Sequence, residues 1–263
     1  MNIRIALFIS VFMMATAIFA QNEQHQGEKP SPEFENSVTN CSSSKGSPDN
    51  GYDYENWTSS GIKGTACMTT VGKAAAFKSD WNITAYGFVH QCGINFIKTP
   101  IDSVNTNASA YFNHNISSVR GAAHTGIYGW LLNPLIEYYI VENWFGHRHK
   151  TATYKGQIIV DGGTYDVYWE ERFNAPNYTG KNADFVQWWS VRTSPRDSGS
   201  IPIAKHFQEW RKLGMSNGEL QNVVFYVEPD VWHNGAYSQG IINYSTATIN
   251  LSGGSPETSP TPR

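Results

Sequence analysis

From Gly51 to about Leu251 the chain is written in short runs that alternate apolar and polar residues and break at turn residues: AAAFKSDW, GFVHQCGINF, LIEYYIVENW, QIIVDGGTYDVYWEERF, FVQWWSVR, NVVFYVE and TATINL. Side chains on a strand point alternately to opposite faces, so this period of two marks half-buried strands rather than helices. Many short strands with regular turn punctuation imply an all-β sandwich or barrel. Asp161-Gly162-Gly163 lies between two such runs and reads as a hairpin turn, because glycine accepts the positive φ that tight turns require. One stretch has a different period. Ile203 to Gly214 places Phe207, Trp210 and Leu213 on one helical face and ends on a glycine, which predicts a single helix in an otherwise all-β fold.

The flanks of this region have other textures. Arg4 followed by an apolar stretch from Ile5 to Phe19 and the small Ala20 reads as a secretory signal peptide over residues 1–20. Residues 21–50 have the composition of a low-complexity linker, residues 51–252 form the folded domain, and residues 253–263 are a Pro/Ser/Thr-rich tail. No further stretch is apolar for long enough to cross a bilayer, so the mature form is expected to be secreted and free of the membrane. An exported chain with Cys41, Cys67 and Cys92 has room for one disulfide. Cys67 and Cys92 both lie in strand-like segments and are the favoured pair. Three widely spaced cysteines without companion histidines do not form a zinc signature. The formal net charge of −3 leaves no basic footprint for nucleic acid. Aromatics at 14% against 16% charged residues suit a surface that presents ring faces to a neutral ligand, although most rings are accounted for as ordinary strand residues.

Two carboxylates stand out against this background. On LIEYYIVEN, Glu137 shares a face with Tyr139 and Val141, while Glu142 falls on the other face with Tyr138 and Ile140. On NVVFYVE, Glu228 shares a face with Tyr226 and Val224. Ionised carboxylates among rings need a partner or a task. Glycoside hydrolysis uses such a pair, one group attacking the sugar or activating water and the other protonating the leaving oxygen. Rim glutamates on solvated strand faces are the other reading of the same pattern.

YGWLLNPLIEYYIVENW, DGGTYDVYWEERFNAP and FVQWWSVR resemble the central signature of the family 11 endo-β-1,4-xylanases. GYDYENW, HFQEWRKLGM and NVVFYVE resemble the family's flanking motifs in the same order, so the likeness runs from about Gly51 to Leu251. The resemblance implies an all-β jelly roll of two curved antiparallel sheets with one α-helix, and xylan or xylo-oligosaccharides held in a cleft by a monomer. It implies no cofactor and no metal. Glu137 matches the catalytic nucleophile and Glu228 the acid/base of a retaining hydrolase, a scheme that places the carboxyl groups about 5–5.5 Å apart. Tyr128 and Tyr139 match tyrosines near the reacting sugar, Arg172 and Gln187 match polar groups beside the nucleophile, and Trp57 matches a ring that stacks on sugar. Residues Asn174 to Gly180, with Pro176, match the thumb loop. Xylose lacks the C6 hydroxymethyl group, so a narrow cleft selects xylan over cellulose by exclusion.

The chain also departs from the family. Glu228 is followed by Pro229 and a long segment, DVWHNGAYSQGIINYS, instead of a short glycine turn. This segment reads as an extended hairpin around Asn234-Gly235 or as an added sugar-contacting loop with Trp232, His233 and Tyr237. A competing alignment gives Asn234 the acid/base place and leaves a catalytically silent xylan- or β-glucan-binding relative. Where the family often sets an Asn or Asp beside the acid/base, this chain has Tyr86 and Gly87. Asn56 and Asn177 begin Asn-x-Thr triplets beside the expected cleft, where a glycan would crowd the substrate.

Overall fold

A computed structural model describes residues 37–47, 51–70, 76–101, 109–150, 153–231 and 237–250. The expected signal peptide, the C-terminal tail and the residues Trp232, His233, Asn234 and Gly235 lie outside the described residues. In chain order the first strands are β1 (Val38–Asn40), β2 (Ser44–Gly46), β3 (Asp53–Thr58), β4 (Lys63–Thr70), β5 (Ala76–Ala85), β6 (Phe88–Pro100), β7 (Ser109–Gly121) and β8 (Ala123–Leu132). There follow β9 (Ile136–Phe145), β10 (Thr153–Val160), β11 (Gly163–Pro176), β12 (Asn182–Arg192), β13 (Ser198–Ile201), α1 (Ile203–Lys212), β14 (Glu219–Pro229) and β15 (Ser238–Asn250). They build a six-stranded sheet in the order β1-β4-β5-β15-β7-β13 and a nine-stranded sheet in the order β10-β11-β12-β9-β8-β14-β6-β3-β2. This is the expected two-sheet jelly roll with one helix among the described residues.

The expectation of purely antiparallel sheets needs one correction. β9 and β12 run parallel, with Glu137 opposite Gln187 and Tyr139 opposite Trp189. The hairpin β10–β11 behaves as its sequence suggests: Val160 pairs with Gly163, and Asp161 and Gly162 turn the chain at φ of 50° and 71°.

Two sets of rings are buried on the two faces of the large sheet. The main core lies between the sheets, with Met68, Phe77 and Trp81 from one side meeting Tyr138, Ile140, Trp188 and Phe225 from the other. α1 joins it through Ile203, Phe207 and Trp210, and Trp210 donates its indole N–H to Ser190 Oγ of β12 at 2.8 Å. Leu213, expected on the helical face, is the C-cap residue and packs half-buried against the same core. Two buried histidines tie the sheets together. His90 of β6 bonds Ser79 of β5 at 3.0 Å, and His114 of β7 bonds Thr125 of β8 at 2.6 Å. Burial pushes both imidazoles down to about 3, so at neutral pH each ring is uncharged and holds a proton on one nitrogen only.

The disulfide joins Cys41 to Cys67, not Cys67 to Cys92. β1 and β2 lie inside the stretch read as a linker, and β1 pairs Asn40 with Met68, which brings Cys41 beside Cys67 with a Cα separation of 4.0 Å. Cys92 faces the main core from β6 in the other sheet, and burial pushes its thiol up to about 12. Asn56 is no glycan acceptor in this fold: it is buried and gives its side-chain N–H groups to the carbonyls of Asn40 and Ser42.

Candidate active site

The second face of the nine-stranded sheet carries its own ring cluster, which includes Tyr128, Trp130, Tyr139, Tyr168, Trp189 and Tyr226. Every residue from Ile136 to Asn143 is buried, since one face of β9 meets the main core and the other meets these rings. The alternation assigned from sequence decides what goes where. Tyr138 and Ile140 enter the main core, while Glu137 and Tyr139 enter the ring cluster.

Glu137 is held by three donors from three strands. Tyr128 of β8 and Tyr139 of β9 donate their hydroxyls to Oε1 at 2.9 and 3.1 Å, and Gln187 of β12 donates its side-chain N–H to Oε2. Trp130 in turn donates its indole N–H to the Tyr128 oxygen at 2.7 Å, fixing which way that phenol points. Burial raises the proton affinity of Glu137, and the bonds from Gln187, Tyr128 and Tyr139 and the positive charge of Arg172 oppose it.

Glu228 is the last residue but one of β14, two strands away, and is equally buried, but its Oε2 has no hydrogen-bond partner. Burial pushes its carboxyl well above the usual range, and the negative charges of Glu137 and Asp230 push it further. The Tyr139 hydroxyl also acts on Glu228, favouring its charged form, so one phenol reaches towards both carboxyl groups. Two coupled carboxyl groups in unequal surroundings separate into a better-solvated anion and a retained proton. Here burial raises both carboxyl groups, and Glu228 rises the further because three donors act against the rise at Glu137.

The remaining expected residues are less tightly engaged. Trp57 of β3 pairs with Val89 of β6 and packs half-buried against the ring cluster. Arg172 of β11 is 46% exposed and lies 3.5 Å from Glu170, acting on Glu137 through its charge alone. Pro176 is exposed in the β11–β12 hairpin, whose tip is closed by Gly180 N–H donating to Asn177 O at 2.8 Å. That tip reaches the ring cluster through Tyr178, whose ring lies 6.0 Å from that of Trp130.

Several residues at the site were not picked out from sequence. Trp189 stacks flat on Tyr139 at 3.7 Å and carries His149 on its other side at 4.0 Å. His124 of β8 bonds the Tyr226 hydroxyl at 2.8 Å. Asp230 receives His147 at 2.9 Å and His149 at 3.1 Å on the same oxygen. Trp189 was legible as the residue two beyond Gln187 on one strand face; His147 and His149 follow the end of β9, where no alternation applies, and His124 lies inside β8. Among the described residues, no group of three or more His, Cys, Asp or Glu side chains is arranged to hold a metal ion.

Glu142, on the opposite face as expected, is a structural ion. It is wholly buried and accepts Tyr165 Oη at 2.7 Å and Arg196 Nε at 2.6 Å, with Arg192 Nη1 at 3.6 Å. Removing one partner from such a cluster leaves the others buried and unpaired. Glu142→Ala is therefore expected to cost about 3–5 kcal/mol of stability, read as a lower denaturant midpoint. A midpoint unchanged from the parent would show that the cluster contributes nothing.

A ring-lined sheet face carrying two buried carboxyl groups in unequal surroundings is the arrangement that glycoside hydrolysis uses. The chain belongs to the Glycosyl hydrolases family 11, whose profile matches residues 49–243. It is 36% identical to endo-1,4-beta-xylanase S20 of Neocallimastix patriciarum over 211 residues, covering 78% of this chain and 59% of that protein. It is also 36% identical to endo-1,4-beta-xylanase A of Bacillus pumilus over 200 residues, covering 74% of this chain and 80% of that one. The solved family 11 xylanase from Neocallimastix patriciarum superposes with a TM-score of 0.68 at 25% identity, over 81% of this chain and all of that one.

Proposed function

We propose that the protein is an exported endo-1,4-β-xylanase that cleaves internal xylosidic bonds with retention of configuration. The carrying observation is the unequal treatment of the two buried carboxyl groups: three donors on Glu137, and an unpartnered oxygen on Glu228. Glu137 attacks the anomeric carbon while Glu228 gives its proton to the departing oxygen, leaving a covalent xylosyl-enzyme. Esterification of Glu137 removes a negative charge from beside Glu228. Glu228 then holds its proton less tightly and serves as the base that deprotonates the incoming water. Gln187, Tyr128 and Tyr139 keep the nucleophile in one orientation, so little rearrangement is needed at the moment of attack. Trp57 and the exposed rim of the β11–β12 hairpin offer contacts to sugars further along the chain. Family membership and the names of the relatives support xylan as the substrate. The apolar stretch before Ala20 and the Cys41–Cys67 disulfide support export, since disulfides persist in oxidising compartments.

The test is release of reducing sugar from xylan and from carboxymethyl-cellulose. Release from xylan, with little from the cellulose derivative, is the expected result. Preference for cellulose would overturn the substrate, and binding of xylan without release would overturn the enzyme.

A further inference from the structure

Asp230 lies two residues beyond Glu228 along an extended chain, about 6–7 Å away at roughly 3.3 Å per residue. Its position is fixed. The preceding Pro229 closes β14 opposite Ala123, the Asp230 N–H donates to Ala122 O at 3.0 Å, and one carboxylate oxygen takes both His147 and His149. The His149 ring lies against Trp189, so the cluster is packed onto the aromatic stack that supports Tyr139.

We propose that Asp230, clamped by His147 and His149, is a positioning residue that governs how readily Glu228 gives and takes its proton, so that this chain's response to pH is set from the end of β14. The inference rests on the acid/base role given to Glu228 above.

The neighbours of Glu228 leave Asp230 this task. β9 turns Glu137 and Tyr139 towards it, β8 contributes Tyr128 and His124, and Arg172 acts from β11. β6, whose His90 pairs with Val227, presents the apolar Val89, and the residues before that strand are Gly87 and Tyr86. Two residues further along the same face of β6, Gln91 pairs with Tyr226 and donates its amide N–H to Glu55 of β3 at 2.7 Å, so that carboxylate is engaged there, and the negative charges that raise Glu228 are those of Glu137 and Asp230. Around Asp230 itself stand His147 and His149 from the segment after β9 and His124 from β8. Lys150 and Arg148 line the same open pocket, and Arg148 is paired to Asp166 at 2.6 Å. Burial alone would raise the Asp230 carboxyl. The His149 hydrogen bond and the three imidazoles overcome burial and hold it well below the usual carboxylate range.

An anion that stays ionised throughout has a different effect from Glu137. When Glu137 is consumed in the covalent intermediate its charge disappears, while that of Asp230 remains. Asp230 then keeps Glu228 basic enough to take the proton of the attacking water. His147 and His149 set the size of this effect, because the hydrogen bonds they make to one Asp230 oxygen draw on its charge.

The test is a direct titration of Glu228 by carbon NMR in protein labelled at the glutamate carboxyl carbon, the signal assigned by its loss in Glu228→Gln. In Asp230→Asn the Glu228 midpoint is expected to fall by about one pH unit, the size a nearby like charge supports. In the double variant His147→Ala/His149→Ala it is expected to rise. The alkaline limb of kcat/KM on xylo-oligosaccharides should move with each midpoint. An unchanged midpoint in Asp230→Asn overturns the proposal. If that variant does not fold, the histidine variant decides, and a midpoint that stays or falls there overturns it too. A parent protein that releases no sugar would overturn the xylanase reading, while the titration would still decide whether Asp230 controls Glu228.

Discussion

Glu137→Ala is expected to lower kcat/KM on xylan by about 10⁴–10⁶-fold, the loss typical when the nucleophile of a covalent mechanism is removed. At 1.36 kcal/mol per factor of ten this is about 5–8 kcal/mol of transition-state stabilisation. The three donors that hold Glu137 cannot replace it, since phenols and an amide lack the charge and reach to attack the anomeric carbon. The cavity left by the carboxylate is bordered by donors suited to a small anion. Azide should therefore restore turnover of an activated aryl xyloside and yield a glycosyl azide of inverted configuration, because one displacement replaces two. A variant that keeps a tenth or more of the parent rate, or an azide product of retained configuration, would remove Glu137 from the nucleophile role.

Glu228→Gln is expected to cost about 10²–10⁴-fold on xylan, the usual contribution of general acid–base catalysis. The signature is its dependence on the leaving group. Xylan departs as a poor alkoxide and needs the proton, whereas an activated aryloxide leaves without one. On an activated aryl xyloside the first step should stay fast and the second should stall for want of a base, giving a burst of phenol and an accumulated xylosyl-enzyme. An equal loss on both substrates would point to damage at the cleft rather than a missing proton. Full activity would mean that the acid/base lies elsewhere in the chain.

Much of this site was legible in the sequence because alternation on a strand is a local rule. Glu137 and Tyr139 sit two apart, as do Tyr226 and Glu228, so each pair shares a face whatever the rest of the chain does. The same rule assigned Glu142 to the other face, where it pairs with Arg196. The helix was legible for a similar reason, since Phe207, Trp210 and Leu213 recur at a helical interval, the first two inside α1 and the third at its C-cap. The disulfide was not. Its pairing depends on β1 adding to the edge of the six-stranded sheet, and a three-residue strand in a Ser-rich stretch carries too little pattern to be read.

What the sequence determined by itself is therefore the faces: which residues of each strand meet rings, which meet the core, and that two carboxylates lie on the ring side. These follow from backbone geometry over two residues. Only the tertiary structure decided the neighbours. The parallel pairing of β9 with β12 sets Gln187 beside Glu137 across fifty positions of sequence. The close of β14 sets Asp230 against His147 and His149 from more than eighty positions away. Strand order is chosen by the packing of whole sheets and by which loops can close, so it leaves no periodic trace in the segments it joins. For that reason the two carboxyl groups could be found from sequence, while their unequal hold on a proton required the fold.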